Sequence, residues 1–413
     1  MAQNHPGRPR RLAVLLSTVV LVGAACGSSA SEDGGPLSSG PAESTVATGA
    51  EQLEPSPLDV TVSGLAMYRG EQIDGAPEPL VDLDDIRSGG PPPDGIPSID
   101  DPSFVSASDV DFLEENEPVL AVAVNGEARA YPVQIMTWHE IVNDTVGGLP
   151  VAVTYCPLCN SAVVYDRRLD DRILEFGTSG LLLNSSLVMY DRQTETLWSH
   201  FTGAGIVGEL TGEELNTLPA ATVAWSTWRD ANPDGLVLSR DTGFDRAYGR
   251  NPYPGYDDVN SQPFLFDGEV DGRYTAMTRI VGIEGDGEAL GVPLASLQET
   301  GVVESELAGD ALVVFWTPGT ASALDGFEVA EGDDVGATGV FIPDADGQTL
   351  TFSATEGGAD QSFVDAETSS TWNVLGQAID GPLAGTQLEA LPHVDTFWFA
   401  WSAFQPDGAI IES

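Results

Sequence analysis

The chain has 413 residues, with 64 acidic against 16 basic side chains and a formal net charge of −48. All the basic residues are Arg, and so acidic a surface repels phosphate backbones and anionic headgroups, which excludes nucleic acid as a partner. It reads as an adaptation for solubility in salt or at the cell exterior rather than as an acidic functional patch. The length allows one large domain or two ordinary ones.

Taken from the N-terminus, Arg8, Arg10 and Arg11 precede an apolar run from Leu12 to Val22, then Gly23, Ala24, Ala25 and Cys26. This is the pattern of a secretory signal peptide, and the run is too short for a bilayer core of roughly 30 Å. A cysteine straight after small residues resembles a lipobox, with Gly23 where Leu is usual. The expectation is a lipoprotein signal peptide over 1–26, Cys26 lipidated, and an extracytoplasmic protein held to the membrane by that anchor. Ordinary cleavage near Ala25 is the alternative. Residues 27–57 are Ser, Gly, Glu, Pro and Ala with few apolar anchors, and read as a flexible tether. Residues 58–114 form a lead-in segment.

The rest carries an internal repeat. LAVAVNGEARAYPVQIM (120–136) answers RIVGIEGDGEALGVPLASL (279–297), and LPVAVTYCPLC (149–159) answers DALVVFWTPGT (310–320). Further on, YDRQTETLW (190–198) answers VDAETSSTW (364–372), and WSTWRDANPDG (225–235) answers WFAWSAFQPDG (398–408). Two copies follow, 115–240 and 275–413, joined by a Tyr/Pro-rich connector over 241–274. Alternating Val, Ala, Tyr and Thr runs with Asn-Gly and Asp-Gly turns predict strands and hairpins. Helical spacing predicts short helices over Pro132–Val142 and Thr222–Ala231. The expected class is α+β, β-dominated and mostly antiparallel, as two internally duplicated copies with short helices.

Cys156 and Cys159 of the first copy align with Thr317 and Thr320 of the second, His139 with Thr300, Met136 with Leu297, His200 with Val374 and Arg192 with Ala366. The second copy thus lacks the chemistry-bearing residues. Trp198, Trp225 and Trp228 recur, as core formers do. The blocks WHEIVNDTVGGLPVAVTYCPLCNSAVVYDR (138–167), FGTSGLLLNSSLVMYDRQTETLW (176–198) and PHVDTFWFAWSAFQPDGAII near the end resemble the bacterial domain-of-unknown-function family 3179. The resemblance covers most of 115–413 and implies domain limits without a reaction.

Three readings of Cys156-Pro-Leu-Cys159 stand open. A redox pair would cycle between dithiol and disulfide, although the strand-like NSAVVYDR after Cys159 argues against a thioredoxin-like helix. A metal site for copper or zinc would draw further ligands from His139 and His200, with Met136 and Met189 as thioether candidates. A structural disulfide in a non-catalytic binding lipoprotein would close too short a loop to stabilise much. Glu140 beside His139 offers a general base with a carboxylate, set against an amphipathic helix WHEIVND that merely packs. Tyr190-Asp191-Arg192 reads as a turn with a local Asp–Arg pair. FGTSGLLLNSS reads as a small-residue loop, a weak hydrolase signal without G-x-S-x-G. The small-molecule or protein partner stays unassigned.

Overall fold

The computed structural model describes residues 63–71, 74–357 and 361–411. The expected signal peptide, Cys26 and the tether over 27–57 lie outside the described residues. Within them, no helix is long and apolar enough to cross a membrane.

The architecture is β-dominated and mostly antiparallel, with few short helices. In one sheet Ala220–Ala224, Pro118–Val124, Glu127–Pro132 and Leu236–Leu238 lie side by side in that order, the last two strands parallel. Later in the chain Val394–Phe397, Arg279–Gly285, Glu288–Pro293 and Ala409–Ile410 make a sheet of the same order, again ending on a parallel pair. A second sheet runs Thr217–Leu218, Ser161–Asp166, Leu149–Cys156, Ile141–Val146, and its counterpart runs Glu389–Ala390, Ala337–Ile342, Asp310–Thr317, Val302–Leu307. A third sheet comprises Phe176–Leu183, Ser186–Asp191, Leu197–Ser199 and Gly205–Val207, and a separate sheet of matching order comprises Phe352–Ala354, Phe363–Asp365, Thr371–Trp372 and Ala378–Asp380. Two lead-in strands, Ile86–Ser88 and Phe104–Ser106, add to the edges of the earlier sheets.

Local chemistry explains the turns. Asn125-Gly126 and Asp286-Gly287 both take positive φ at both positions (50° and 83°, 48° and 80°), as a two-residue type I′ hairpin requires.

The helices are shorter than the apolar spacing predicts. The first spans Val133–His139, not Pro132–Val142. Glu140 swings to φ 60°, and Ile141 opens a strand, pairing with Thr154. Two β-branched residues in a row, Ile141 and Val142, favour that outcome. Asn143 fixes it, for its side chain accepts from Phe176 N and donates to Phe176 O, acting as a strand partner. WHEIVND is therefore half helix and half strand. The helix expected over Thr222–Ala231 begins at Trp225, because Ala220–Ala224 pairs with Pro118–Val124 first. FGTSGLLLNSS is likewise no loop. It is a strand, a turn at Asn184-Ser185 with φ 50° and 60°, and the start of the next strand.

The apolar cores are shared along the chain. Cys156, Cys159, Phe176, Met189 and Trp198 pack in one cluster with Phe397, Trp398 and Trp401. Trp225 and Trp228 pack with Phe315, Phe363 and Trp372 in another. Each of these two clusters thus draws residues from both the earlier and the later sheets.

Candidate metal centre

The central strand Leu149–Cys156 delivers Cys156 to its end, paired in register with Ser161. Pro157 to Asn160 turns the chain back, with Asn160 N donating to Pro157 O at 3.2 Å and Asn160 at φ 52°. The CxxC pair therefore sits in a hairpin turn, not at a helix N-terminus. The turn is gripped from the far end of the sequence, since Cys159 O accepts from Phe397 N at 3.2 Å and from the Thr396 hydroxyl at 2.8 Å. His200 follows the strand Leu197–Ser199 directly, its N–H bonded to Leu187 O at 3.1 Å.

That strand is positioned by a buried carboxylate. Asp191 accepts from Thr194 N at 2.6 Å, from the Thr194 hydroxyl, and from Trp198 Nε1 at 2.9 Å. Asp365 makes the same set with Thr368 and Trp372, the latter also at 2.9 Å. Counting on two residues from each Trp reaches His200 in one case and Val374 in the other.

One ligand atom from each of Cys156, Cys159 and His200 lies within 4.8 Å of the others, and all three residues are buried. Ligands of one ion with bonds of about 2.0–2.3 Å stand roughly 3.5–4 Å apart, so a small contraction closes the set. The sulfurs are free, not joined in a disulfide, which sets aside the pinning role considered above. Both His200 ring nitrogens are buried without a hydrogen-bond partner. Buried polar atoms are nearly always paired, so two orphans on one ring facing two thiols call for an absent partner.

Electrostatics divides the pair. Burial, and then the neighbouring Cys159, push the Cys156 thiol well above its usual range. Burial also raises Cys159, but hydrogen bonding with Cys156, Ser161 and Ser186 outweighs it and holds that thiol below the ordinary value. Ser161 Oγ and Ser186 Oγ stand 2.9 and 3.5 Å from the Cys159 sulfur. Burial lowers His200, keeping its imidazole neutral and able to ligate. With Cys156 and Cys159 only 1% and 0% exposed, exchange with an outside disulfide has no access.

The other sequence candidates fall elsewhere, Met189 and Glu140 excepted. His139 is not in the group. Its Nδ1 donates to Pro97 O at 2.8 Å and its Nε2 accepts from the Tyr248 hydroxyl at 2.6 Å, so both nitrogens are spent. Met136 packs in a separate core with Tyr131 and Ile135. Met189 shares the cluster of the cysteines. Arg192 pairs with Asp94, Asp100 and Glu175 rather than with Asp191, which corrects the local pair expected there. Glu140 is buried, and burial followed by the nearby Cys156 push its carboxyl well above the usual range. Ser161 and Ser186 were missed as thiol partners. The only hint was the Asn-Ser-Ser run, read for a nucleophile.

The model of the family described as "Protein of unknown function (DUF3179)" matches residues 93–408. The chain belongs to that family. No curated protein and no solved structure matches it. The buried triangle is therefore a feature of a DUF3179 chain.

One further feature of this DUF3179 chain separates its two halves. Glu140 and Gly301 both close a helix in the left-handed region, at φ 60° and 71°, and their carbonyls accept from Tyr155 N and Trp316 N. Glycine suits that place, and a side chain there costs about 1–2 kcal/mol. Strain of this kind gathers at functional sites. Glu140→Gly is expected to raise the unfolding free energy by about 1 kcal/mol, read from denaturant midpoints. Gly301→Ala is expected to lower it, because the new Cβ would stand 2.5 Å from Ala354 Cβ.

Proposed function

We propose that this chain is a metal-binding protein in which Cys156, Cys159 and His200 hold one soft transition ion, copper(I) first and zinc second. The observation that carries the reading is the orphaned, buried His200 ring beside two free thiols. Two thiolates and an imidazole suit both ions, but structural zinc is almost always four-coordinate. The three-ligand group favours the lower coordination number of copper(I). Ser161 and Ser186 would steady Cys159 as outer partners do in such sites.

The test is metal analysis of protein purified without reductant or chelator, then reconstituted with copper(I) under anaerobic conditions. About one copper per chain supports the reading, zinc at that stoichiometry exchanges the ion, and a quantitative Cys156–Cys159 disulfide with no metal ends it.

The N-terminal pattern supports an exported lipoprotein tethered through Cys26. Cys26→Ala is expected to move the protein from the membrane fraction to the soluble one, measured by immunoblot; an unchanged distribution would refute the anchor. The matched sheet orders and the Asp191 and Asp365 networks support descent of the two halves from one duplicated unit, with the chemistry kept in the first.

A further inference from the structure

Beside the metal triangle lies an open cleft of about 320 Å³. Its walls include Leu158 of the CxxC turn, Leu187, and Tyr253, Tyr256 and Phe264 of the connector. That volume falls at the lower end of small-molecule sites, which combine apolar walls with a few polar groups. Tyr256 is fixed in place, donating from its hydroxyl to Leu158 O at 2.9 Å and accepting from Phe264 N at 3.1 Å. Ser185 donates to Phe264 O and ties down the same wall.

One wall is polar. Glu140 lines the cleft, is only 7% exposed, and among the described residues its carboxyl takes no hydrogen bond. No Arg lines the cleft, so an anionic ligand would find no partner there. The strained backbone at Glu140, which the glycine at 301 avoids, is the cost of keeping a carboxyl in this position.

We propose that the cleft binds a small uncharged aromatic molecule, its ring between Tyr253, Tyr256 and Phe264 and a hydroxyl or carbonyl oxygen hydrogen-bonded to Glu140. The site is distinct from the ligand triangle, and rests on the metal reading only for the statement that such a molecule sits next to the ion. A ring fits these walls by offset or edge contacts. An aliphatic cation is the rival occupant, since aromatic rings with a carboxylate also suit one.

The experiment is a fluorescence titration of 2-naphthol into the full chain, metal-free and copper(I)-loaded, with tetramethylammonium as competitor. Saturable binding of one equivalent is expected. Glu140→Ala should weaken it about tenfold, the scale of one buried hydrogen bond, and Glu140→Gln should restore most of it. Phe264→Ala, a change at a half-exposed position, should weaken binding without touching either carboxyl or thiol. Binding that ignores both Glu140→Ala and Phe264→Ala, displacement by tetramethylammonium, or no binding at all would overturn the proposal. Cys156→Ser separates the two readings: it should lose copper(I) and still bind naphthol, whereas wild type that binds naphthol but no copper(I) leaves the cleft standing while the ion assignment fails.

Discussion

Cys156→Ser, Cys159→Ser and His200→Ala are each expected to weaken copper(I) binding by more than about 100-fold, measured by competition with a chromogenic chelator. The scale follows from outer partners of metal ligands, whose loss alone costs roughly 10–100-fold. Losing a ligand must cost more. The burial of the site sharpens this, because residues 0% or 1% exposed leave bulk water little access to replace the missing donor. Ser161→Ala, which removes the hydroxyl 2.9 Å from the Cys159 sulfur, should fall within the 10–100-fold range. His200→Val, the residue that the second half carries at this place, should fold normally and bind no metal. That variant separates ligation from packing, since burying an imidazole with two orphaned nitrogens is itself costly in the metal-free state. Equal copper binding in wild type and His200→Val would leave the triangle without a role.

Trp198→Ala is expected to lower stability by about 3–5 kcal/mol, the range for a large aromatic removed from a core. The side chain is fully buried, meets Phe176 edge-to-face, and satisfies Asp191 through its indole N–H. Trp372→Ala should cost a similar amount, for that indole does the same for Asp365. Metal binding tells them apart. Trp198 stands two residues before His200 on the strand that sets the imidazole, so its loss should also reduce copper affinity about 10–100-fold. Trp372→Ala should leave affinity unchanged at temperatures where the protein stays folded. Urea unfolding read by tryptophan fluorescence and chelator competition on the same samples give both numbers.

The strands and hairpins were legible because their signals are local. Asn125-Gly126 and Asp286-Gly287 declare the turns, and VAVTY declares the strand that ends on Cys156. The cysteine pair was also legible as the place to look. Choosing between the histidines was not. His139 sits nearer in sequence, but its partner Tyr248 lies 109 positions away, and nothing local announces that bond. His200 reaches the thiols through a strand held by Asp191, which the sequence shows only as a polar turn residue. The overrun of the first helix has a similar cause. Glutamate is a good helix former, so Glu140 hides the break that glycine advertises at 301.

The grip of Thr396 and Phe397 on the carbonyl of Cys159 links the site to a segment made much later in translation. Cys156, Cys159 and His200 are all translated by residue 200, but the residues that hold the cysteine turn in shape come almost two hundred positions later. A nascent or truncated chain thus carries the thiols without the scaffold that buries them. If Cys156, Cys159 and His200 hold an ion, its capture would wait for residues 396 and 397, and a chain cut before them would expose two sulfurs to whatever oxidant surrounds it.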